Sequence, residues 1–231
     1  MKNPADILVV SAHPDDAEFG AAGTVARWVD EGRQVVYLVC TNGDKGTSDR
    51  SLSPERLAEI REREQLAAAA VLGVREVIFL RHPDQSLEDT ASFRQEIVRW
   101  IRELRPRTVV TSDPYRRYVW HRDHRITGQV VLDAVFPLAR DHLACPDLLS
   151  QGLEPHKVSE ILFWGAEDIN HRSDVTRTFD RKMAALRCHE SQMREFSKPQ
   201  MEAWLRDRCL ETARDEPFDL AEGFHRVVLP P

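Results

Sequence analysis

ILVVSAHPDDAE, residues 7–18, joins an unbroken apolar run to a His-Pro-Asp-Asp turn, and the reading of the whole chain starts there. Ile7–Ser11 shows no alternation of polar and apolar residues, so a strand at this place is covered on both faces, as in a parallel sheet. Helical spacing begins near Glu18, which puts the turn at the carboxyl end of the strand. In open α/β sheets ligands bind at that edge.

Further runs of the same kind, Val35–Cys40, Val77–Leu80, Thr108–Thr111 and Ile161–Trp164, alternate with helical patterns over Glu18–Glu31, Ser53–Leu72 ending at Gly73, Ser92–Leu104 before Pro106, and roughly Arg125–Ala139. The order predicts an α/β fold: a Rossmann-like, three-layer α/β/α arrangement with a mostly parallel sheet and right-handed crossovers. A chain of 231 residues, 42% apolar and 30% charged, fits a single domain. Its core is expected over about 5–192, with 193–231 as a C-terminal helical extension, because Thr178–Glu190 and Lys198–Glu211 both carry helical spacing. Asp141–His156 is rich in Pro, Gly and Leu without a period and reads as a surface excursion or lid-like loop.

The formal net charge is −6 and no basic stripe stands out, which argues against a nucleic-acid partner. The longest apolar stretches fall far short of a membrane span and the segment before Ile7 has no signal-peptide pattern, so a cytoplasmic protein is expected. Cys40, Cys145, Cys188 and Cys209 form no CxxC pair, which speaks for reduced thiols without a zinc knuckle; Cys40 reads as a core residue.

Imidazole nitrogen and carboxylate oxygen are zinc donors, and Pro14 stiffens the turn that carries His13, Asp15 and Asp16. Adjacent carboxylates diverge, so one can hold a metal while the other faces the attacking water. The alternative is that Asp15 or Asp16 merely caps the following helix. A second cluster, His121-Arg122-Asp123-His124, follows the strand Thr108–Thr111 at a helix start. His121 and His124, three apart, share a face, so one can bind metal while the other contacts substrate, and Asp123 can accept from a neighbouring imidazole. Alone this cluster could be a solvated helix end. Together the two supply a His/Asp/His set with an open position for water.

These residues resemble the LmbE-like, or PIG-L-type, de-N-acetylase family, whose members carry Ala-His-Pro-Asp-Asp-x-Glu near the N-terminus and His-x-Asp-His later. The similarity extends through Gly23-Thr24, through Arg61-Glu62-Arg63-Glu64 to Leu72-Gly73, and through Lys182 to His189-Glu190-Ser191-Gln192. The resemblance implies that His13, Asp16 and His124 bind Zn2+, that Asp15 is the general base, and that protonated His121 steadies the oxyanion with Asp123 behind it. It also implies that Arg61 contacts a substrate hydroxyl, that the substrate is an N-acetylated amino-sugar conjugate of the N-acetylglucosamine type, and that the protein is a homo-oligomer. Departures are Arg122 in place of a frequent proline, Ala22 in place of a frequent glycine, and Gln85 where a glycine often follows Asp84.

His82-Pro83-Asp84 copies the leading motif without its second carboxylate and reads as a loop feature; His171 and His189 read as polar or packed loop residues, though His189 falls in a segment similar to the family and could line the cleft. Arg61 could equally pair with glutamates along its own helix. Two other functions are compatible with the pattern: an amidase for a larger acyl group or a thiol conjugate, and a Rossmann-like nucleotide-binding module. Against the second, Gly20-Ala21-Ala22-Gly23 is not the GxGxxG fingerprint.

Overall fold

A computed structural model of the protein describes residues 3–118, 120–194 and 198–230, with side chains for all of these except 198 and 199. The chain runs β1 (Ile7–Ser11), α1 (Asp16–Asp30), β2 (Val35–Thr41), α2 (Pro54–Leu72), β3 (Glu76–His82), α3 (Ala91–Leu104), β4 (Thr108–Ser112) and α4 (Arg122–Asp133). A kinked segment follows at Ala134–Leu138, with extended backbone at Phe136, then α5 (Pro146–Ser150), β5 (Glu160–Trp164), β6 (His171–Asp174), α6 (Phe179–Leu186), α7 (Glu190–Met193), α8 (Lys198–Thr212) and β7 (Ala221–Val228).

The sheet order is β3-β2-β1-β4-β5-β7-β6, with β1 through β5 parallel and β7 antiparallel to both its neighbours. Alternate residues of β1 serve opposite faces. Leu8 and Val10 pack with Ile97 and Ile101 of α3 and Val130 of α4, while Ile7 and Val9 pack with Ala21 and Val25 of α1 and Leu72 of α2. This is the expected three-layer α/β/α fold. Helix limits follow local chemistry: Ser53 caps α2 by accepting from Arg56 N, Gly73 ends it at φ 77°, and Thr90 caps α3 by accepting from Phe93 N.

The expected C-terminal helical extension is corrected in part. Helix α8 is present, but Ala221–Val228 is a strand that inserts between β5 and β6. Both β6 and β7 escape the sequence pattern because β6 reads His-Arg-Ser-Asp, with no apolar residue, and β7 breaks its apolar residues with Glu222, Gly223, His225 and Arg226.

The segment 141–156 is the expected surface excursion, most of its residues being exposed, but it is anchored. Leu148 and Leu153 are buried, and the segment is tied down by Arg102 of α3, itself 2% exposed. Its Nε and Nη2 donate to the carbonyls of Ala139, Leu138, Asp141 and Ala144 at 3.0–3.2 Å. Arg102→Met is expected to destabilise the protein by about 2–4 kcal/mol, since it strands several buried carbonyls at once. Thermal melts check the magnitude, and faster proteolysis within 141–156 than elsewhere checks the location.

Among the described residues no helix is long and apolar enough to cross a membrane. Cys40 lies in the core, where burial pushes its thiol pKa up.

Candidate active site

In a sheet ordered 3-2-1-4-5, the direction in which successive strands are added reverses between the parallel neighbours β1 and β4, and the crevice at their carboxyl ends is the place where a ligand fits. Both sequence clusters lie there. At the end of β1 the backbone turns sharply: Asp15 adopts φ 93°, a left-handed conformation that a non-glycine residue holds only when its surroundings impose it. The surroundings come from α2. Gln65 Oε1 accepts the Asp15 amide at 3.0 Å, while Arg61 donates from Nη2 to Pro14 O at 2.6 Å and from Nη1 to Gly43 O at 3.0 Å. Asp15 Oδ1 lies 3.4 Å from Arg61 Nη2.

The turn sends the two carboxylates apart. Asp16 Oδ2 accepts the His13 amide at 2.8 Å, which fixes it facing two imidazoles. His13 Nδ1 is 3.4 Å from Asp16 Oδ2, His124 Nε2 is 3.0 Å from Asp16 Oδ1, and the two nitrogens are 3.2 Å apart. Donors around a tetrahedral zinc at 2.0–2.1 Å lie about 3.3–3.4 Å from one another, so this set closes on a zinc-sized centre with small adjustments. Two further donor groups share His13 with it: His13, His121 and His124 offer atoms within 4.8 Å of one another, as do His13, Asp84 and Asp123.

His13 Nε2 points away from His124 and faces Asp84 Oδ1 at 2.9 Å and Asp123 Oδ2 at 3.4 Å. A carboxylate behind a ligating imidazole fixes its tautomer and strengthens its donor nitrogen. Burial opposes a charge on His13, but Asp123, Asp16 and Asp84 outweigh it and its pKa is pushed up to about 12. The cluster thus calls for a cation: the imidazolium itself or a metal ion in its place. Burial also opposes the charge of Asp16, yet His124 and His13 hold its carboxyl well below the usual range. Asp15 behaves differently. Burial raises its pKa to about 6 against the pull of Arg61.

His121 caps α4, its Nδ1 accepting the Asp123 amide at 3.1 Å. An imidazolium would present a proton to that amide, so this geometry keeps His121 neutral with its proton on Nε2. Burial and the neighbouring His13 and His124 lower its pKa, in the same direction. The expectation of a protonated His121 is therefore revised. Asp123 also moves: its Oδ2 accepts from Gln85 N at 2.7 Å and faces His13, standing behind a metal-ligand candidate rather than behind His121.

Among the described residues Arg61 makes no ion pair with the glutamates of its helix; its ion-pair partner is Asp15. It is buried and committed to the turn carbonyls and Asp15. Asp84 is the residue that sequence reasoning set aside, although its place just past the end of β3 could have flagged it. Gln85 beside it has φ 63°, the region that favours glycine, which gives a physical reason for the glycine frequent at that point in similar chains. His82 turns away to Glu96 Oε2 at 2.7 Å, and His171 lies against Phe224 on the far strands. His189 is fully buried with Nε2 3.3 Å from Glu18 Oε2; Glu18 Oε1 accepts from Gln65 Nε2 at 2.9 Å, so a polar chain runs from His189 to the Asp15 turn.

Residues 8–135 match the family described as PIG-L, GlcNAc-PI de-N-acetylase. The chain is 34% identical over 221 residues to a diacetylchitobiose deacetylase of Thermococcus kodakarensis, covering 96% of this chain and 82% of that protein. It is 29% identical to a 1D-myo-inositol 2-acetamido-2-deoxy-α-D-glucopyranoside deacetylase of Mycobacteroides abscessus, covering 81% of each. Among solved structures, the N,N'-diacetylchitobiose deacetylase of Pyrococcus horikoshii in complex with its inhibitor MPG superposes with a TM-score of 0.92 at 30% identity, covering 97% of this chain and 84% of that one.

Proposed function

Because the chain belongs to the PIG-L, or GlcNAc-PI de-N-acetylase, family, we propose that it is a zinc-dependent hydrolase that removes the N-acetyl group from an N-acetylglucosamine-type substrate. The observation that carries this reading is the split between the adjacent carboxylates: Asp16 closes a donor set with His13 and His124, while Asp15 stays outside it. His13 Nδ1, Asp16 and His124 Nε2 would hold the ion. Zinc bound there supplies Lewis acidity toward the acyl oxygen and lowers the pKa of water to about 7.

The chain's own residues supply the proton handling. Asp15, ionised above about pH 6, takes a proton from the attacking water and returns it to the departing amine. His121 offers its Nε2 proton as a hydrogen bond to the carbonyl oxygen as negative charge builds on it. Asp84 and Asp123 hold the ring of His13 in place. Arg61 and Gln65 keep the strained turn that separates the two carboxylates, and Arg61 limits how far burial raises Asp15. The substrate class is supported by the sugar-linked acetamides in the names of the relatives.

Metal analysis with acetate release from N-acetylglucosamine and N,N'-diacetylchitobiose tests the proposal. About one zinc per chain is expected, with acetate release abolished by chelation and restored by zinc. Full activity in metal-free protein would overturn the metal assignment, and metal-loaded protein that releases no acetate from either compound would overturn the substrate class.

A further inference from the structure

A pocket of about 350 Å³ opens beside the donor set, on the side of Asp16 and His124, and three of the chain's five tryptophans line it: Trp120, Trp164 and Trp204. The indoles are deliberately accommodated. A Cβ on Gly20 of α1 would come within 2.5 Å of the Trp164 ring, and one on Gly165 within 3.2 Å of Trp120, so glycine at both positions lets the rings lie against backbone. Trp120 is further fixed by donating Nε1–H to Asp113 O at 3.0 Å.

Trp204 on α8 is different: it remains 51% exposed. Two guanidinium groups lie over the outer indoles, Arg116 at 4.3 Å from the Trp120 ring and Arg208 at 5.0 Å from the Trp204 ring. Both arginines also line the pocket.

Flat aromatic faces next to guanidinium donors match a pyranose ring, whose axial C–H groups form an apolar face and whose equatorial hydroxyls accept from the rim. An acyl chain matches less well, since it would cover two arginines and give them no acceptor. The volume is at the low end for small-molecule sites, enough for one ring and its substituents.

We propose that this pocket binds the sugar ring joined to the reacting N-acetylglucosamine unit, with Trp204 as its stacking platform. The inference rests on the deacetylase reading above and adds to it a preference for disaccharides over the monosaccharide, set by α8.

Two measurements test it. In zinc-loaded enzyme, Trp204→Ala should lower the ratio of kcat/KM for N,N'-diacetylchitobiose to that for N-acetylglucosamine about tenfold or more, mainly through the KM of the disaccharide, and Trp204→Phe should restore most of the ratio. An unchanged ratio overturns the proposal. So does a loss that falls on N-octanoylglucosamine instead, which would make the pocket an acyl site. Calorimetric titration of Asp15→Asn protein with diacetylchitobiose is the second measurement: binding should weaken by a similar factor when Trp204→Ala is added. If the wild type cleaves neither sugar, this titration still decides. Trp204-dependent binding upholds the subsite while the deacetylase reading fails, and binding that ignores Trp204, or none, overturns the subsite.

Discussion

Asp15→Asn protein is expected to keep its zinc and its fold and to lose about two to four orders of magnitude in kcat. The amide is nearly isosteric with the carboxylate, and the turn is held by contacts that do not involve the side chain: Gln65 takes the Asp15 backbone amide and Arg61 takes the carbonyls of Pro14 and Gly43. The donor set of His13, Asp16 and His124 is untouched. What disappears is a crevice carboxylate able to accept and return a proton near neutral pH, where burial has placed its pKa at about 6. In the wild type, protonation of Asp15 should give kcat/KM an acid limb at or below about pH 6, because a bound cation adds to the pull of Arg61 and shifts the limb downward. The residual activity of the variant should lack that limb. Metal stoichiometry, a thermal melt and a pH–rate profile check the three parts. A fully active variant would remove Asp15 from the mechanism, and a metal-free one would move it into the donor set.

The largest effect on stability is expected from Lys182→Met. Lys182 and Glu222 are both buried, with Nζ and Oε1 2.5 Å apart, and the ammonium also donates to Phe19 O at 2.7 Å. Glu222 accepts from Gly23 N at 3.0 Å and Thr24 N at 2.7 Å, midway along α1. Removing the cation leaves a carboxylate in the interior with no counter-charge, a change that costs about 3–5 kcal/mol. For a chain of this size the melting temperature should fall by about 6–20 °C. Lys182→Met combined with Glu222→Gln should recover part of the loss, since the amide still accepts from α1 without a charge. A single variant that melts with the wild type would mean that the pair contributes nothing.

Much of this architecture was legible because covered strands announce themselves. β1, β2, β4 and β5 are buried almost throughout, edge strand β3 still carries the apolar run Val77–Leu80, and Ser53 and Gly73 sit where the ends of α2 need them. The two histidine clusters were legible for a related reason: each follows such a strand. The gaps have tertiary causes. Nothing in a charged helix such as α3 distinguishes buried Arg102 from the half-buried charged residues Arg99 and Glu103 near it, so the anchoring of 141–156 could not be read. Asp84 was weighed by its missing carboxylate neighbour instead of by its strand-end location. The roles of Arg61 and Gln65 depend on α2 crossing the β1 turn, a contact 47 to 50 residues apart in sequence. For His121 the structure bears on the helix-start reading alone, since Nδ1 accepts the Asp123 amide, and Nε2 is left for the role proposed above.

The clasp between Glu222 and the middle of α1 joins residues 198 and 199 positions apart. A chain growing on the ribosome therefore exposes His13, Asp16 and His124 well before the strand that steadies their helix has been made. Until then α1 lacks its far anchor and the crevice has no fixed wall on the side of Glu222. The order of synthesis makes the completed site wait for β7, and damage to that strand is felt at residues made long before it.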